Sequence, residues 1–197
     1  MWNERYATPE HVYGTEPNAF LVSLAHRIPP GGRVLCLMEG EGRNAVFLAG
    51  LGHEVTAMDG SEVGLAKART LAGQRGVSLQ AMHADAADFT IEPGAWDGIV
   101  SIYGHLPPPL AERIHRAAAA GLRPGGVLIL EAFARSQLGK GTGGPKDAAM
   151  LYDLEILCRQ LAGLRLEIAR EVEREVHEGR HHTGLGSVIQ ILAVRKA

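Results

Sequence analysis

Residues 33–49, RVLCLMEGEGRNAVFLA, constrain the fold more than any other stretch of the chain. An apolar run that reads as a buried strand stops at Gly40, Glu41 and Gly42 and resumes with helical spacing. This is the strand, glycine turn and helix unit that opens ligand-binding α/β sheets. Glycine is needed there because the chain turns sharply and because a side chain would obstruct a ligand lying against the backbone. The spacing of Gly40, Gly42 and Ala45 fits a dinucleotide fingerprint, yet the charge of the loop argues against a diphosphate. Glu39 and Glu41 flank Gly40, and at ~5 Å and an effective dielectric of ~20 each carboxylate would repel a phosphate charge by roughly 3 kcal/mol before salt screening. A ligand bearing positive charge is attracted instead.

The same alternation continues along the chain. Periodicity predicts a helix over 17–28 with Phe20, Leu21, Leu24 and Ala25 on one face, closed by IPPGG. It then predicts strand 33–38, helix 42–51, strand 54–58, helix 61–74, strands 78–83 and 97–103, helix 108–121 and strand 126–132. Such an order implies a parallel sheet with right-handed crossovers. The close of the chain differs: LRLEIAREVEREV and SVIQILAVRK are extended runs joined by a short polar segment, which predicts an antiparallel hairpin at the sheet edge. The expected fold class is α/β, Rossmann-like and doubly wound, with a mostly parallel seven-stranded sheet, an antiparallel final strand and helices on both faces. One domain over 1–197 is expected, with residues 1–28 as a leader and helix able to close over the site.

Composition narrows the partners. Twenty Lys and Arg against 22 Asp and Glu leave a net charge of -2, with the basic residues scattered, so a nucleic-acid backbone is not an expected partner. No run approaches the ~20 apolar residues of a membrane span, and MWNERYATPEH lacks a basic segment followed by an apolar one, so the expected location is the cytoplasm. Two cysteines, Cys36 and Cys158, are too few for a disulfide framework and read as small core residues. LGKGTGGPKD, 138–147, departs from the phosphate-loop pattern and reads as a mobile loop.

In an open parallel sheet, ligands bind beyond the carboxyl ends of the strands. Asp59 stands there after the second strand, where an acid accepts both ribose hydroxyls or caps the helix opening at Ser61. Asp85 follows the third strand, as an acceptor for an adenine amino group or as a turn residue. Tyr103, Gly104 and His105 follow the fourth, with His105 open to a catalytic or a structural reading. If the run at 164–176 is parallel to the others, the connection from His177 to Gly184 shares that face. His177, Arg180 and His181, with Tyr13 from the leader, are then candidate acceptor-binding residues. Neighbouring histidines in a strand connection diverge and no cysteine or carboxylate pair completes a shell, so no metal site is expected. S-adenosyl-L-methionine, with sulfonium and ammonium groups, is the common nucleoside cofactor that suits the acidic loop.

Taken together, WNERYATPEHVYGTEPN, the glycine loop, VTAMDGS, HADAADF, WDGIVSIYGHLPP, LRPGGVLILEAF and the final hairpin resemble class I S-adenosylmethionine-dependent methyltransferases. Within that class they are similar to the small-molecule branch that includes tellurite-resistance and thiopurine methyltransferases. The resemblance implies transfer of a methyl group to a small acceptor, a thiol or chalcogen oxyanion among them. It places Glu39, Gly40, Glu41, Gly42 and Asn44 around the methionine part of the cofactor. Asp59, Gly60 and Ser61 fall at its ribose and Asp85 with Ala86 at its adenine. Tyr103 and His105 fall at the methyl-transfer end. Two departures stand out: this chain has Cys36 where members commonly carry an acid, and Met38 where they carry glycine. Glu39 and Glu41 are the carboxylates available to replace that acid. The competing readings are a nicotinamide-dependent oxidoreductase, against which the acidic loop and Asp85 speak, and a non-enzymatic module that binds S-adenosylmethionine.

Overall fold

The computed structural model describes residues 1–179 and 182–196. Its strands are β1 (Arg33–Leu37), β2 (Glu54–Asp59), β3 (Gln80–His83), β4 (Trp96–Ile102), β5 (Leu122–Phe133), β6 (Arg165–His177) and β7 (Thr183–Val194). They form one sheet of order β3-β2-β1-β4-β5-β7-β6. The helices are α1 (Trp2–Tyr6), α2 (Ala19–Leu24), α3 (Arg43–Gly50), α4 (Glu62–Gln74), α5 (Pro108–Gly121) and α6 (Leu154–Gln160). β7 is antiparallel to both β5 and β6, which sets β6 parallel to the first five strands. The connection leaving β6 therefore lies at the same end of the sheet as those leaving β1 to β5.

Successive side chains of a strand point to opposite faces, and both faces are covered. On one, Leu35, Leu37, Ile99, Leu128 and Leu130 pack with Ile114 of α5 and Leu157 of α6. On the other, Val34, Cys36, Val100 and Ile129 pack with Leu21, Leu48 and Leu65 of α2, α3 and α4. This two-sided burial explains why the central strands read as continuous apolar runs.

Two local differences from the sequence expectation have physical causes. β5 begins at Leu122, four residues before the predicted start, because Leu122 pairs with Trp96 while Val127 pairs with Gly98, leaving residues 123–126 as a bulge in the strand. The hairpin of β6 and β7 forms the sheet edge as expected, with the reversed strand β7 inside it and β6 outermost. The leader contains a helix, α1, held by contacts with α4 that no local pattern announces. Among the described residues no helix is long and apolar enough to cross a membrane.

Candidate functional site

The strand order reverses between β1 and β4, and such a switch point opens a crevice at the carboxyl ends. The residues leaving these two strands, Met38 and Tyr103, have φ of 50° and 55°, the left-handed region that side chains avoid. Strained backbone of this kind concentrates at functional sites. It also explains why a glycine suits the position of Met38. The Met38 side chain fills the space left by Gly104, where a Cβ would collide with its Cε.

Beyond β1 the glycine loop closes tightly. A Cβ at Gly40 would lie 2.6 Å from Tyr6 Oη, and one at Gly42 would collide with Ala68 of α4. Gly42 is the N-cap of α3 and offers no side chain, so the Glu39 carboxylate does the capping: its Oε1 accepts from the amides of Asn44 (3.0 Å) and Ala45 (2.8 Å). The Cys36 thiol lies beside Glu39, and burial together with that carboxyl pushes it up. Burial pushes the Glu39 carboxyl up to about 7, against the pull of those amides and Arg43, and nearby Asp59 adds to the rise. Asp59 accepts from the Gly40 amide (2.8 Å) through Oδ2 and from the Ser61 amide (2.7 Å) through Oδ1, and burial raises its carboxyl too. Ser61 caps α4 by accepting from the Gly64 amide at 3.1 Å.

Glu41 turns away from this arrangement. It is 4% exposed, accepts from the Val12 amide at 2.8 Å and pairs with Lys67 at 2.7 Å. Lys67 is thus occupied by Glu41 and Arg43 by Glu178, and among the described residues neither Glu39 nor Asp59 has an ion-pair partner. Asp85 is exposed and accepts from the Ala87 amide at 2.8 Å, in a turn whose Ala86, Ala87 and Phe89 carbonyls accept from Arg113. The amide of Ala84 donates to the Asp59 carbonyl at 3.1 Å, which sets this turn beside Asp59. Gly60 offers its carbonyl to His83 Nε2 at 3.1 Å.

At the ends of β4, β5 and β6 stands a buried polar network that sequence reading missed. Glu131, fully buried, accepts from Tyr103 Oη (2.9 Å), Asn18 Nδ2 (2.8 Å), Gln190 Nε2 (2.6 Å) and the Arg174 guanidinium. Glu178 accepts from Asn18 Nδ2 (2.9 Å), Arg174 (2.8 Å) and Arg43. Burial pushes the Glu178 carboxyl up, but the two arginines outweigh it and hold it below the ordinary range. Two carboxylates and two guanidiniums balance. The Tyr103 phenol, buried and facing Glu131, is raised well above its usual value.

His105 has both ring nitrogens committed: Nδ1 bonds the Met150 carbonyl at 2.8 Å and Nε2 accepts from the Phe133 amide at 3.2 Å. The second bond fixes the Nδ1–H tautomer, and burial lowers the imidazole to about 4, so it is neutral. The His182 ring packs among Tyr13 (4.6 Å between centroids), Tyr103 (4.7 Å) and Phe133 (5.1 Å). His177 ends β6 with an exposed side chain, while Arg180 and His181 lie outside the described residues.

The leader lies across these strand ends. Asn3 Oδ1 accepts from Ser61 Oγ at 2.6 Å, Tyr6 covers Gly40, and the Asn18 amide donates to Asn44 Oδ1 at 2.9 Å. Between them, Tyr13 presses so closely on Gly179 that a Cβ there would lie 2.5 Å from Tyr13 Cα. The 139–144 loop, expected to be mobile, has partners: Gln137 Nε2 donates to Thr142 Oγ1 (2.8 Å) and the Gly143 carbonyl (3.1 Å).

Comparison with known proteins places this geometry. Residues 34–126 match the family described as "Methyltransferase domain". A ubiquinone biosynthesis O-methyltransferase of Xanthomonas campestris pv. campestris (strain B100) is 32% identical, over 70% of this chain and 68% of that protein. The crystal structure of TehB from Haemophilus influenzae superposes with a TM-score of 0.76 at 20% identity, covering 99% of this chain and 66% of that one. An S-adenosylmethionine-dependent methyltransferase from Methanosarcina mazei gives 0.69 at 20% identity, covering 88% and 97%. Relatedness of this extent answers the nicotinamide alternative: the chain belongs to the S-adenosylmethionine-dependent methyltransferases.

Proposed function

We propose that this methyltransferase acts on a small acceptor that arrives already ionised, a thiolate or chalcogen oxyanion, as in the tellurite-resistance and thiopurine branch. The observation that carries this reading is the commitment of His105, Glu131 and Glu178, three proton acceptors around Tyr103. His105 has no free ring nitrogen, and Glu131 and Glu178 are saturated by donors. A general base helps only an acceptor that holds its proton at neutral pH. The chain is then left with alignment, which supplies much of the rate of an in-line displacement.

The loop fits the cofactor. Among the described residues Glu39 and Asp59 carry no ion-pair partner, so their carboxylates suit a ligand of positive charge beside the loop. When bound, the cofactor supplies a methyl group activated on a sulfonium. In this proposal Gly40, Gly42 and Asn44 line its methionine part, Asp59 with Gly60 and Ser61 holds its ribose, and Asp85 with Ala86 reads its adenine. Tyr103 and His182 wall the transfer end, with His105 as a positioning residue that ties the end of β5 to Met150. The leader, carrying Tyr6 and Tyr13, covers the crevice and excludes water. His177, Arg180 and His181 remain proposed contacts to the acceptor's outer part.

Methylation of a small thiol from labelled S-adenosylmethionine, followed from pH 6 to 9, is expected to rise with the thiolate fraction and level off near the acceptor's own pKa, ~8.5 for a simple thiol. Faster turnover of an alcohol or phenol, governed by an enzyme group titrating near neutrality, would contradict the reading.

A further inference from the structure

We propose that Glu39, and not Glu41, receives the ammonium group of the cofactor, and that it gives up a proton as the cofactor binds. The proposal rests on the family's cofactor and goes beyond it to a device particular to this chain. Its strand β1 holds Cys36 where the family resemblance implies an acid, and the buried Cys36 thiol lies beside Glu39. Glu39 stands three residues further on, in the loop, beside that thiol.

Geometry separates the two glutamates. Glu41 is closed off by the leader and Lys67. Glu39 stays partly exposed at the mouth of the glycine loop and spends Oε1 on the first turn of α3. The groups facing it are Cys36 from β1, Asp59 from β2 and Arg43 from α3. Arg43, the cation that acts on it among the described residues, is already tied to Glu178 and to the Glu16 carbonyl. The pocket is left short of positive charge, and a neutral Glu39 relieves that shortage before a ligand arrives. Its carboxyl, lifted to about 7 mainly by burial, is divided between both forms near neutrality. An arriving ammonium stabilises the carboxylate, so the proton leaves.

The test is calorimetry of S-adenosylhomocysteine, which keeps the ammonium and lacks the methyl group, at pH 7 in buffers of different ionisation enthalpy. Wild type is expected to release about half a proton more per ligand than Glu39→Gln. That variant keeps an oxygen for the α3 amides and should bind about tenfold or more weakly. A double change, Cys36→Asp with Glu39→Ala, should recover affinity relative to Glu39→Ala alone by returning the acid to the strand. Binding with the same proton release in wild type and Glu39→Gln overturns the proposal while leaving the cofactor in place. Absence of any binding heat would instead strike at the cofactor itself, and at this proposal with it.

Discussion

Glu131→Ala is expected to destabilise the fold by about 3–5 kcal/mol, the cost of breaking a buried charge network from one side. Glu131 is fully buried, and its removal leaves the donors of Tyr103, Asn18, Gln190 and Arg174 facing a void. The Arg174 side chain is 19% exposed and keeps Glu178, so it can turn partly toward water, which argues for the lower half of that range. Urea unfolding monitored by circular dichroism measures the difference directly, provided the slope against denaturant is unchanged. A loss below about 1 kcal/mol would be the size of an ordinary exposed ion pair and would show that the network contributes little. Because Asn18 links both carboxylates to the leader, the variant should also loosen residues 1–18 in hydrogen exchange.

Asp59→Ala is expected to weaken S-adenosylmethionine binding by about 10- to 100-fold, through loss of charge-assisted hydrogen bonds. Two effects combine there: the carboxylate holds the Gly40 and Ser61 amides, and in our proposal it also meets the ribose. Ser61→Ala separates them, since it removes the α4 cap at about 1 kcal/mol of stability and leaves the carboxylate in place. Calorimetry on both folded variants should show a large affinity loss for Asp59→Ala and a small one for Ser61→Ala. Equal losses would reduce Asp59 to a capping residue.

The parts of this molecule that were legible in its sequence are those written in short-range pattern. The run from Arg33 to Phe133 alternates apolar strands with amphipathic helices, and the proposed cofactor contacts Gly40, Asp59 and Asp85 follow from where strands end. The glycines at 184 and 186 hid the first residues of β7, and the bulge at 123–126 hid the start of β5, because both break the period on which such reading depends. The buried network was invisible for a different reason: Asn18, Arg43, Glu131, Arg174 and Glu178 are brought together only by the sheet. One signal was available in Glu131, a lone charge in the apolar run VLILEAF, which asks for a buried partner. The separate fates of Glu39 and Glu41 were likewise out of reach, since two residues in one loop are distinguished only by what the leader covers.

In our proposal the strand ends are divided, with the cofactor over β1 to β3 and the acceptor over β4 to β6. A crystal structure of the complex with S-adenosylhomocysteine tests it most directly. The expected complex has the ribose hydroxyls on Asp59, the adenine beside Asp85 and Ala86, the amino group at Glu39, and the sulfur facing Tyr103. A ligand whose ribose avoids Asp59, or whose sulfur points away from Tyr103, would contradict it.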